Sequence, residues 1–198
     1  MSPLFRWMVR WARTVHLYLT LFALGLLLFF AATGFMLNHE DWFSPVEPHT
    51  SEKKGAIPPE LLREPDKLGV VELLRKDYGV VGPLSAFEAD DDQLRVAFKR
   101  PGTQAEAVIR RDDGTAEVTV KTWGLNGFMM DLHRGKDVSR PWHLIIDFVA
   151  VVYLILAATG LTMWWSLKGR GRYGVLVIAV GVVLSVAVVL AFELWLAK

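Results

Sequence analysis

Cysteine is absent from all 198 residues. That absence removes disulfide frameworks, thioether-attached haem, iron–sulfur clusters and thiolate metal sites together. Any metal must then be held by His, Met, carboxylate or a cofactor. Histidine is scarce too, with five in the chain, so the position of each carries information. Net charge is almost absent: 22 basic residues face 21 acidic ones, for +1. No basic excess points to nucleic acid, and none is expected as a partner.

The charge that is present avoids three long stretches. Leu17 to Leu37 has no charged residue, Leu144 to Trp165 only Asp147, and Tyr173 to Leu196 only Glu193. Each comes near the roughly 20 apolar residues that cross a bilayer, which predicts a membrane protein with three transmembrane α-helices. The first run exceeds a signal-peptide core, and "TGFMLNHEDW" has no small-residue cleavage site, so it is expected to stay as an anchor. Lys and Arg beside helix ends are retained in the cytoplasm. Arg6, Arg10 and Arg13 before the first span, and Lys168, Arg170 and Arg172 between the second and third, therefore belong inside, and His39 to Arg140 outside. "GRGRYG", Gly169 to Gly174, satisfies the G-x-G-x-x-G pattern but lacks a preceding strand, and reads as a basic cytoplasmic turn.

The external segment reads as an α+β module. "PDKLGVVELLRKDYG" places Leu68, Val71, Leu74 and Tyr78 near helical spacing and ends at Gly79 as a C-cap would. "PLSAFEA", "QLRVAFKR", "AEAVIRR" and "AEVTVKT" then alternate apolar and polar residues between turn formers, predicting a three- or four-stranded antiparallel sheet packed on that helix. "WGLNGFMMDLHRG" follows, with Trp123, Leu125, Phe128, Met129 and Leu132 suited to an interfacial amphipathic helix that carries His133 to the bilayer surface. The expected division is 1–38 for the basic arm and first span, 39–122 for the module, 123–140 for the interfacial helix and loop, and 141–198 for the other two spans with their turn.

Depth sorts the histidines. His39 ends the first span, His143 opens the second and His133 arrives on the interfacial helix, so three imidazoles are expected at the external face. His16 lies 23 residues before His39 (39 − 16), roughly 34 Å along a helix, near the cytoplasmic end. Taken singly, each reads first as an interfacial histidine bonded to a headgroup or backbone. Taken together at both faces they suit bis-imidazole haem, which needs two neutral histidines, an apolar slot and cations for its propionates. Arg134, Lys136 and Arg140 stand beside the external histidines, and Arg6, Arg10 and Arg13 beside His16. The paired "AATG" stretches, Ala31 to Gly34 and Ala157 to Gly160, leave room for a flat ring or serve close helix packing. Asp147, four residues after His143, orients that imidazole or complements the helix dipole.

"RTVHLYLTLFALGLLLFFAATGFMLNHEDW", "LHRG" and "WHLIIDFVAVVYLILAATGLTMWW" resemble the PepSY-associated transmembrane helix family of bacterial inner-membrane proteins. The likeness covers the first two spans, and the module between them is similar to a PepSY domain. The wider family includes haem-containing reductases of ferric siderophores and ferric iron. The resemblance implies His16, His39, His133 and His143 as haem ligands, with haem b as cofactor. The expected protein sits in the bacterial inner membrane with its N-terminus cytoplasmic and its PepSY-like domain, inserted between the first and second helices, periplasmic. It would take electrons from quinol or a cytoplasmic reductant and reduce ferric iron or a ferric siderophore. The alternative readings are a membrane-anchored module that binds or inhibits a protease, and a haem or metal sensor or transfer protein. His16 has no second histidine at its depth, so its partner would be Met163 or the same residue of a second copy in a homodimer.

Overall fold

The computed structural model describes residues 2–43, 47–63, 66–167 and 171–196. The chain forms two compact units, Met1–Gly25 with Phe148–Lys198, and Leu26–Asp147. Three helices are long and apolar enough to cross a membrane: Pro3–Asn38, Arg140–Trp165 and Tyr173–Phe192. The first is α1, Pro3–Asn38. Ser2 starts it by accepting the Phe5 N–H at 3.2 Å, and Pro3 occupies the first helical position, where its missing N–H costs nothing. Apolar side chains on these helices are largely uncovered by protein, with Leu154 70 % exposed and Val177 69 % exposed. Such surfaces suit lipid, which demands helices because their backbone groups are satisfied internally. Lys168, Gly169 and Arg170 of the predicted basic turn lie outside the described residues.

After α1 the order is α2 (Glu40–Phe43), β1 (His49–Ala56), α3 (Glu60–Arg63), α4 (Lys67–Tyr78), β2 (Leu84–Ala89), β3 (Gln93–Arg100), β4 (Thr103–Arg110) and β5 (Thr115–Thr122). Then come α5 (Gly124–Arg134), α6 (Arg140–Trp165) and α7 (Gly171–Leu196). The sheet is antiparallel in the order β1-β5-β4-β3-β2. Its buried face holds Leu94, Val96 and Phe98 of β3, Ala105, Ala107 and Ile109 of β4, and Ala116 and Val118 of β5, the alternation that the sequence predicts. Val70, Val71, Leu74 and Tyr78 of α4 close this core.

Two expectations need correction. The sheet has five strands, because β1 adds an edge strand whose eight residues are all exposed. "HTSEKKGA" has no apolar alternation to betray it, and its charges protect a free edge. Leu68 is 71 % exposed, and Val70 takes its place in the buried face of α4. The cause is the cap: Asp66 accepts the Leu68 N–H at 3.1 Å, which puts Leu68 in the first turn on the outer side. Gly79 ends α4 as expected, in the left-handed region at φ 69°, its N–H bonded to the Leu74 carbonyl.

The turn between β3 and β4 seats α5. Gly102 has φ 67°, donates its N–H to Asp131 Oδ2 at 2.8 Å, and approaches so closely that a Cβ would lie 2.6 Å from the Phe128 nitrogen. Gly127 and Met130 are the buried residues of α5, whereas Leu125 is 68 % exposed and Phe128 39 %. Trp142 Nε1 donates to the Leu132 carbonyl at 2.8 Å, tying the end of α5 to the start of α6.

Candidate functional site

His133 stands in the last turn of α5 with Nδ1 2.7 Å from Thr33 Oγ1 of α1. The same hydroxyl donates to the Phe29 carbonyl at 2.7 Å, a back-bond that threonine makes within helices. A hydroxyl has one proton to give. Thr33 therefore accepts the imidazole Nδ1–H, and Nε2 is left with a free lone pair. Gly34 makes the seat possible, since a Cβ there would lie 3.3 Å from His133 Cε1. Phe30 covers one side, its ring centroid 5.3 Å from the imidazole. Burial, and then the Arg134 guanidinium, hold the His133 pKa below its ordinary value, which favours the neutral ring that metals bind.

His16 repeats this arrangement within the other unit. Its Nδ1 lies 2.9 Å from Thr159 Oγ1, whose proton goes to the Ile155 carbonyl at 2.7 Å. A Cβ on Gly160 would sit 3.7 Å from His16 Cε1. Ala31–Gly34 and Ala157–Gly160 thus share one arrangement: in each the threonine hydroxyl meets an imidazole Nδ1, and the following glycine lies beside the ring, tightly at Gly34 and at ordinary contact distance at Gly160. Each stretch meets one histidine ring through its threonine and glycine. The contacts of Thr33 and Thr159 were not foreseen from the sequence, although two identical tetrapeptides on separate helices were the signal.

The remaining predicted residues are placed differently. The His39 ring stacks on Trp42 at 4.0 Å and 16°, leans on Phe35 at 4.6 Å, and has Nε2 3.4 Å from Asn38 Nδ2. His143 is exposed in the first turn of α6, with its Nε2 3.7 Å from the position of a Cβ on Gly135. Asp147 is exposed, and among the described residues no hydrogen bond joins it to His143. Arg134 is turned toward Glu40, with Nη2 3.0 Å from Oε2, and Arg140 is exposed at the start of α6. Arg134 and Lys136 line a cavity of about 340 Å³ together with Glu40, Asp131 and Trp123, so the charge there is mixed. Among the described residues no three His, Asp or Glu side chains form a group able to hold a bare metal ion.

Long apolar helices and a separate antiparallel α+β module fit a membrane-associated protein. A family model described as PepSY_TM-like matches residues 8–194, and the chain belongs to that family. No curated protein and no solved structure matches it.

Proposed function

We propose that the protein binds haem b in the bacterial inner membrane and passes electrons to ferric iron or a ferric siderophore at the periplasmic face. The observation that supports this reading is the duplicated seat: His16 and His133 each give Nδ1 to a threonine hydroxyl and keep Nε2 open. The donor set fits haem, whose iron takes two axial ligands and is supplied with the rest by its own ring. In the sequence, His16 opens the first apolar run and Thr33 stands near its close, which suits sites toward both membrane faces.

Haem, when bound, would supply reversible one-electron exchange. The chain's own residues orient and select. Thr33 and Thr159 fix tautomer and ring angle, and Gly34 lets the His133 ring lie close to α1. His39 and His143 are the candidates for a second ligand beside His133. Met163 or His16 of a second copy would complete the other site, the latter in a homodimer. Arg134 and Arg140 are placed to meet propionates, Arg134 by exchanging Glu40 for them. The PepSY-like domain, inserted between the first and second spans, would lie in the periplasm and govern access of the acceptor, while quinol or a cytoplasmic reductant supplies electrons.

The test is spectroscopic. Protein purified from haem-replete cells should be red and show reduced-minus-oxidised bands of six-coordinate haem b, and a ferric chelate should reoxidise the reduced form. A colourless preparation overturns the reading, and a red one inert toward ferric chelates overturns the choice of acceptor.

A further inference from the structure

The first four turns of α1 carry Arg6, Arg10 and Arg13 at i, i+4 and i+7, so the three side chains form one stripe. They line a cleft of about 410 Å³ together with Phe5, Val9, Thr14 and Ser166, the last just beyond α6. No carboxylate is among these residues, and none of the three arginines forms a salt bridge among the described residues. Along the chain the first acid is Glu40. Like charges at i, i+4 on a helix repel, so the stripe calls for an anion that this unit's described side chains do not provide.

The cleft's other groups narrow the choice of anion. Thr14 Oγ1 donates to the Arg10 carbonyl at 3.2 Å and Ser166 Oγ to the Met163 carbonyl at 2.6 Å, so both hydroxyl protons are already engaged. Binding then falls to the guanidinium groups, whose planar forks match phosphate oxygens in pairs. Val9, 9 % exposed, and the half-buried Phe5 add apolar wall, and the exposed Trp7 and Trp11 lie on the same turns with rings 6.1 Å apart. Exposed tryptophans at the end of an apolar span mark the headgroup level of a bilayer. A ligand with a phosphodiester and acyl chains matches both the arginines and the apolar wall. Inorganic phosphate matches only the first.

We infer that this cleft binds the headgroup of an anionic phospholipid. The inference rests on α1 entering a membrane and is independent of haem. The test uses the full-length protein in mild detergent and counts phosphatidylglycerol retained in native mass spectrometry, with phosphatidylcholine as the zwitterionic comparison and inorganic phosphate as the free anion. Phosphatidylglycerol should be retained over phosphatidylcholine, and each of Arg6→Gln, Arg10→Gln and Arg13→Gln should weaken retention roughly fivefold. Arg10→Lys, which keeps the charge and loses the fork, should fall between. Arg95→Gln, on the exposed face of the sheet, should behave as wild type. The single variants keep the test decisive where a variant lacking all three arginines fails to fold. Unchanged retention in the single variants overturns the inference, as does thermal protection by inorganic phosphate equal to that by lipid. A fall in haem content with lipid retention intact also overturns it, by assigning the stripe to haem carboxylates.

Discussion

Thr33 and Thr159 each decide which nitrogen of a histidine is available, and the valine isostere separates that role from shape. Thr33→Val should destabilise the fold by about 1 kcal/mol, the worth of one hydrogen bond. It should also lower haem affinity at His133 by roughly 10- to 100-fold, the usual cost of losing the partner that orients a ligand. In haem-free protein, the ¹⁵N shifts of His133 should move from a fixed Nδ1–H form to a mixture, and Thr33→Ser should restore it. An unchanged tautomer in Thr33→Val would remove threonine from the site. Thr159→Val should do the same to His16. The pH response has a definite sign. Burial and Arg134 hold the His133 pKa below its ordinary 6.5, so the unfolded chain takes up the proton first. The stabilisation is fully present above 6.5 and is lost as pH falls through the depressed folded value. The groups facing the ring are Thr33, Phe30 and Arg134. Thermal melts of haem-free protein between pH 7.5 and 5 should show an acid-side loss that His133→Asn shrinks; equal slopes in both proteins would contradict the assignment.

The turn between β3 and β4 transmits sheet geometry to α5, and a methyl group can test it. Gly102→Ala places a Cβ 2.6 Å from the Phe128 backbone nitrogen at a left-handed φ of 67°. The strain should cost about 1–3 kcal/mol and shift α5, so haem bound at His133 should fall more than haem bound at His16. Gly114→Ala is the comparison: φ is 73° and the nearest atoms to a Cβ belong to Ile57 and Leu62 rather than to α5. It should lower stability to a similar degree while sparing His133, and equal haem loss in both variants would deny the coupling. These contacts also show what sequence alone could carry. Strands β2 to β5 were legible because one face is buried and the period is two, whereas β1 buries nothing and left no pattern. The three spans were legible from charge-free length, and Gly79 from the left-handed cap it must adopt. The spacing of His143 and Asp147 put them on one helical face but could not say that they meet, and among the described residues no hydrogen bond joins them. The threonine partners of His133 and His16 were hidden because each pair is formed over 100 and 143 residues of chain.

The two imidazole seats differ in what supports them, and that difference predicts how the protein responds to losing its sheet. His133 depends on α5, which is held by Gly102 N–H on Asp131 at 2.8 Å, by Trp123 N–H on the Gly102 carbonyl at 3.0 Å, and by burial of Gly127 and Met130. Replacing residues 49–122 by a short Gly-Ser linker removes Gly102 and leaves Asp131 with no backbone N–H to accept. The α5 helix, 11 residues long, is too short to persist well in water without packing. None of these residues takes part in the His16–Thr159 contact, which lies in the other unit. If haem is bound as proposed, the shortened protein should therefore keep the haem held through His16 and lose the haem held through His133, rather than retaining both with altered substrate access alone. Asp131→Ala should produce a weaker version of the same loss, since it removes one anchor of α5 and keeps the sheet. Haem-to-protein ratios with electron paramagnetic resonance of the oxidised forms distinguish the outcomes, because two sites with different ligand geometry give different low-spin signals. Full retention of both signals after the deletion would show that α5 is positioned by α1 and α6 alone, through Thr33 and Trp142, and that the sheet serves substrate access only.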